Sequence, residues 1–109
     1  MKVKIGKKHI NVKVATSFYD RLTGFIGQTN INSGILFPSC NSIHTYFMKE
    51  AIDVIALNER NEIVFKVIAL PKNKVFKVNR QQKNTSILEL PANSTASLKV
   101  GSKIVFENF

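Results

Sequence analysis

The chain has 109 residues, 44% of them hydrophobic, with 16 Lys and Arg against 7 Asp and Glu and a net charge of +9. That length fits one domain spanning residues 1–109, and no apolar run approaches the roughly 20 residues a membrane helix requires. The single cysteine excludes an internal disulfide and fits a reducing cytoplasm.

The N-terminus reads as a hairpin. Val3 and Ile5 alternate with lysines, Gly6-Lys7-Lys8 can turn, and Ile10, Val12 and Val14 alternate again. No apolar core follows the lysines, so the segment is read as strand and not as a signal peptide. Ser17 with Asp20 resembles a capping box, and Phe18, Leu22, Phe25 and Ile26 form one helical stripe ending at Gly27. A short α-helix of about 10 residues is expected there, leaning on the sheet because isolated helices of that length are marginal. Gly34 to Phe37 reads as a short apolar strand closed by Pro38, and Ile43 to Met48 as a further candidate. Asp53 to Leu57 is a strong strand, joined by Asn58-Glu59-Arg60-Asn61 to a strand from Glu62 to Leu70. Val75 to Val78, Ser86 to Leu90 and Lys103 to Phe106 complete the strands, and Pro91 to Lys99 holds a short helical turn. The pattern predicts a mostly β (α+β) fold: a small antiparallel β-barrel-like sheet with one flanking short α-helix.

Four segments carry a family resemblance. They are Ala15 to Gln28 (ATSFYDRLTGFIGQ), Gly34-Ile35-Leu36-Phe37, Phe47-Met48-Lys49 with Ile52-Asp53, and Leu88-Glu89-Leu90-Pro91-Ala92. In this order they resemble the domain of unknown function 192 family, small bacterial and archaeal proteins of about this length. Cys40, Ile43, His44 and Thr45 fit a Cys-x-x-Ile-His-Thr branch of it. The chain departs from the family pattern at Glu50-Ala51, Asn93 and Ser102. The resemblance implies a β-rich fold with a flanking helix and carries over no activity.

The chemistry-bearing residues concentrate between Cys40 and Asp53. A Cys–His pair can be nucleophile and base, or two metal ligands. Placed on one strand, Cys40 and His44 would lie ~13 Å apart at ~3.3 Å per residue, too far for proton transfer. Only a tight turn at Asn41-Ser42 would join them. With His9 remote in the first hairpin, the metal-ligand set is incomplete unless Asp53 or Glu89 joins it, so no metal or cofactor is expected. Met48 reads as core filler. Asp53 enters an apolar run and demands a partner. Arg21 and Lys49 are the candidates, either in an ion pair fixing helix to sheet or in a pocket for a small anion or peptide carboxylate.

The candidate pocket therefore comprises Arg21, Cys40, His44, Lys49, Asp53 and Glu89. The reading that follows is a binding or scaffolding module for a protein partner or small anionic ligand, leaning away from an enzyme. An enzyme or metal-binding protein using Cys40, His44 and Asp53 is the alternative. A second alternative is nucleic-acid binding through two acid-free basic tracts at residues 2–13 and 72–83. It is not favoured, because the aromatics do not interleave with those tracts, Phe76 excepted.

Overall fold

The computed structural model describes residues 1–17, 24–78 and 85–107. They form nine strands: β1 (Lys2–Ile5), β2 (Lys8–Val14), β3 (Gly34–Phe37), β4 (Ser42–His44), β5 (Ile52–Leu57), β6 (Ile63–Leu70), β7 (Val75–Lys77), β8 (Ser86–Pro91) and β9 (Phe106–Glu107). Seven pair in one sheet in the order β6-β5-β8-β3-β2-β1-β9, while β4 and β7 form a separate two-stranded ribbon.

The hairpin periodicity acts as expected. β1 pairs antiparallel with β2, Val3 facing Ile10 and Ile5 facing Lys8. Val3, Ile5 and Val12 are buried, whereas Lys4 and His9 stay in water. β2 then runs parallel to β3, with Val12 opposite Gly34. A Cβ at Gly34 would lie 2.7 Å from the Leu90 side chain and 3.0 Å from the Glu89 carbonyl oxygen. Only glycine permits that approach of β3 to its neighbours.

β5 and β8 sit side by side, and β5 is buried on both faces. Ile52, Val54, Ala56 and Ile87 join Phe25, Ile35, Phe37, Met48 and Phe76 in one core. Ile55, Leu57, Leu88 and Leu90 join Val3, Ile5, Val12, Ile63 and Ile104 in the other. The sheet thus separates two apolar layers, and alternate residues of its central strands feed one layer or the other.

Three expectations are corrected. The helix predicted from Ser17 to Gly27 is not found among the described residues, which contain no helix and whose named elements are all β-strands. Residues 18–23 of that prediction lie outside the described set. Its second half, Gly24 to Gly27, is a turn in which the Gln28 amide donates to the Phe25 carbonyl at 3.1 Å. Gly24 has φ +47°, a left-handed conformation that a right-handed helix excludes. Phe25 therefore reaches the core from a turn.

Nor is the sheet a closed, wholly antiparallel barrel. It is mixed, because β2 and β3 are parallel. Its edge strands β6 and β9 are not paired with each other; the start of β6 meets the segment before β9 through a bridge between Glu62 and Lys103 and through backbone hydrogen bonds of Ile63 with Ser102 and Gly101. Period-two patterning identifies strands without naming their partners, so pairing order and closure lay beyond it. Finally, the strand expected over Ile43 to Met48 ends at His44, because Thr45–Met48 turns back on itself: the Met48 amide donates to the Thr45 carbonyl at 3.1 Å.

Candidate functional site

β8 carries Glu89 between β3 and β5, directly opposite Ile35 on one side and Val54 on the other. Both neighbours are apolar and buried, and the Glu89 side chain points into the layer they share. It is 4% exposed. No hydrogen bond or ion pair reaches its carboxyl from a described residue. Burial pushes its pKa up from the ordinary 4.5 to about 8, because removal from water penalises the ionised form. At neutral pH the group is mainly a carboxylic acid, able to donate one hydrogen bond.

Glu89 forms part of the wall of a cavity of about 110 Å³, together with Phe25, Phe37, Cys40, Ile43, His44 and Met48. Gly24 lies against it: a Cβ there would stand 3.5 Å from Glu89 Oε1 and 3.3 Å from Phe37 Cζ. The left-handed turn at Gly24 thus brings backbone beside the buried acid, where a Cβ would press on Phe37.

Cys40 and His44 line the same cavity without forming a dyad. The Cys40 thiol donates to the Ser42 carbonyl at 3.2 Å, and no hydrogen bond joins it to His44. The Cys40 backbone is fixed by Thr85, whose carbonyl accepts the Cys40 amide at 2.9 Å and whose hydroxyl donates to the Cys40 carbonyl at 2.9 Å. His44 is exposed and stacks on Tyr46, with ring centroids 5.0 Å apart. Among the described residues no three His, Cys, Asp or Glu side chains converge as a metal cluster would require.

Asp53 stands apart from this cavity. It is fully buried, and its carboxylate accepts four hydrogen bonds. Oδ1 takes the amides of Ala69 at 2.7 Å and Asn93 at 2.8 Å. Oδ2 takes the Thr95 amide at 2.9 Å and the Thr95 hydroxyl at 2.6 Å. The local sequence explains the need. Ile52 pairs with Leu70 but Val54 with Val67, so Ile68 and Ala69 together oppose Asp53 in a bulge. Ala69 and Asn93 both adopt positive φ, at +53° and +66°, and their amides turn toward the acid. Lys49 is exposed and does not line the cavity. Arg21 lies outside the described residues.

A profile of the domain of unknown function 192 (DUF192) family, described as an uncharacterised ACR, matches residues 1–106. The chain belongs to the DUF192 family. A UPF0127 protein from Thermococcus sibiricus is 39% identical over 59 residues, which is 49% of this chain and 38% of that protein. The match therefore spans well under half of the relative's length. Two solved structures share the DUF192 chain's fold at 14% identity. A protein of unknown function from Novosphingobium aromaticivorans superposes with a TM-score of 0.78, covering 96% of this chain and 82% of the other. A protein from Sinorhizobium meliloti, described as a candidate transcription regulator, gives 0.74, covering 95% and 89%. At that identity the likeness is one of fold.

In this DUF192 chain, sequence reasoning missed Gly24, Phe25 and Phe37 as neighbours of Glu89, and Thr95 as the partner of Asp53. A Thr four residues beyond a strand-ending Pro carries no signal of its own. The Leu-Glu-Leu run of β8 did hold one, since it sets Glu89 on the face opposite two buried leucines. Whether that face was water or a second core was not written in the run. Among the described residues no helix is long and apolar enough to cross a membrane.

Proposed function

We propose that this DUF192 domain is a binding module whose cavity takes a small, largely apolar ligand bearing one hydrogen-bond acceptor, with Glu89 as the donor. A reducing, cytoplasmic setting accords with the single free thiol beside the cavity. One observation carries the reading: a carboxylic acid held neutral by burial, with no hydrogen bond from a described residue, on a cavity wall otherwise built largely from Phe25, Phe37, Ile43 and Met48. A carboxylic acid that receives no hydrogen bond from a described residue has capacity for a water or a ligand. At about 110 Å³ the space is below the range of drug-sized ligands and nearer that of a single small ring. A neutral donor favours a carbonyl or ether oxygen over a cation.

The test is a fragment screen read by NMR of a labelled Met48 methyl group. Small acceptor-bearing fragments should move the Met48 signal saturably, and Glu89→Leu, which keeps an apolar wall but removes the donor, should abolish the response. If no fragment moves Met48, or if Glu89→Leu binds the same fragments equally well, the reading fails.

A further inference from the structure

The ribbon of β4 and β7, whose Ser42, Ile43 and His44 also border the cavity, carries exposed side chains on its outer side. Its register sets Ser42 opposite Lys77, Ile43 opposite Phe76 and His44 opposite Val75. Phe76 points inward and is buried. The outer face carries His44 on one strand and Val75 and Lys77 on the other. The chain continues past His44 into the Thr45–Met48 turn, where Tyr46 stacks on His44 and is 43% exposed. Phe47 follows at 79% exposure.

Phe47 is held there against local preference. It is the third residue of the turn and has φ +66°, a position that favours glycine and is rare for a bulky side chain. Thr45 fixes the turn to the loop before β7. Its hydroxyl donates to the Pro71 carbonyl at 2.6 Å and accepts the Lys74 amide at 2.8 Å, and its own amide donates to the Lys74 carbonyl at 2.8 Å. Lys72, Lys74 and Lys77 are exposed along that side, and no described acid pairs with them. The aromatic row is thus brought beside the second basic tract by pairing between segments about 30 positions apart, although the two do not interleave along the chain.

We propose that this ribbon binds single-stranded nucleic acid, with His44, Tyr46 and Phe47 stacking on bases and Lys72, Lys74 and Lys77 running beside the phosphates. Exposed rings near exposed lysines that no described acid pairs with are the groups that sequence-tolerant single-strand binding uses. The polar edges of Ser42, His44 and Tyr46 break the apolar area that insertion into lipid would want.

The test is fluorescence anisotropy with labelled oligo-dT, oligo-U and a duplex of equal length, across a salt series. Both single strands should bind more tightly than the duplex. The logarithm of affinity should fall with the logarithm of salt at a slope of about −2 for three phosphate contacts. Phe47→Gly should weaken single-strand binding about 5- to 150-fold, the range of one lost stacking contact. It should leave the melting temperature unchanged or higher, because glycine suits the turn. Lys72→Ala should flatten the salt slope by about 0.7. The paired variant Lys7→Ala with Lys8→Ala, on the exposed first hairpin, should change affinity less than Phe47→Gly does. The proposal is overturned if Phe47→Gly leaves oligonucleotide affinity intact, or if the hairpin variant weakens it more. It is equally overturned if anionic phosphatidylserine vesicles, and not oligonucleotides, show binding that depends on Phe47.

Discussion

The Thr95 hydroxyl donates to Asp53 Oδ2 at 2.6 Å, joining two fully buried side chains 42 positions apart. The same carboxylate collects the Ala69 and Asn93 amides on its other oxygen. One acid thereby fastens the end of β5 to a bulge in β6 and to the turns that follow β8.

Replacing that acid should be costly. Asp53→Asn substitutes an NH₂ for one accepting oxygen and leaves at least two buried donors facing a donor. Hydrogen bonds to a charged group contribute about 1.5–3 kcal/mol each, so a loss of about 3 kcal/mol is expected by urea denaturation. Thr95→Val, which removes one such bond, should cost about 1.5–3 kcal/mol. The double variant should be less destabilised than the sum, because both changes remove one shared bond. Additive losses would contradict the pairing.

Glu89 should set a pH dependence of stability. Its folded pKa of about 8 lies above the ordinary 4.5, so between those values the folded chain holds a proton that the unfolded chain has released. The contribution is fully present below about pH 4.5 and is lost as pH rises through about 8, at up to about 1.4 kcal/mol per pH unit. Glu89→Gln should remove this slope and gain on the wild type as pH rises. Parallel stability curves for the two proteins between pH 5 and pH 8 would show that Glu89 is not buried as described.

Gly24→Ala should destabilise by about 1–2 kcal/mol through the left-handed backbone alone. The new methyl group would also stand in contact with Phe37 and Glu89, so the variant should lose fragment binding at the cavity as well. A thermal melt combined with the Met48 NMR readout checks both parts. Unchanged stability would argue that this turn is not left-handed.

Thr45→Val keeps the shape of a fully buried side chain while removing its hydroxyl. The Lys74 amide then loses its acceptor and the Pro71 carbonyl its donor. A cost of about 1–3 kcal/mol is expected. Hydrogen exchange at Lys74 should accelerate more than exchange in β5. Equal protection of Lys74 in both proteins would detach the turn from the β7 loop.

Several elements were legible because their signal is local. The alternation in Val3, Ile5, Ile10 and Val12 produced the first hairpin, and the apolar run after Asp53 with the Asn58–Asn61 turn located β5 and β6. The helix prediction went astray at Gly24, where an apolar stripe at helical spacing proved compatible with a turn that sends Phe25 into the core. Asp53 was visible as an acid needing a partner. The described partners are backbone amides and a hydroxyl, groups that no residue type announces.

By itself the sequence determined most of the strand segments, though not the ends of β4 and β9, that Asp53 and Glu89 stand among apolar residues, and that lysines gather in two tracts. Tertiary structure decided that the sheet is covered on both faces. That made Glu89 a neutral acid on a cavity wall. It also decided that the Thr45–Met48 turn is tied to the loop of Pro71, Asn73 and Lys74. Periodicity is a property of one strand and its two faces. What covers a face, and which distant segment pairs with an edge, is set by contacts between strands remote in the chain.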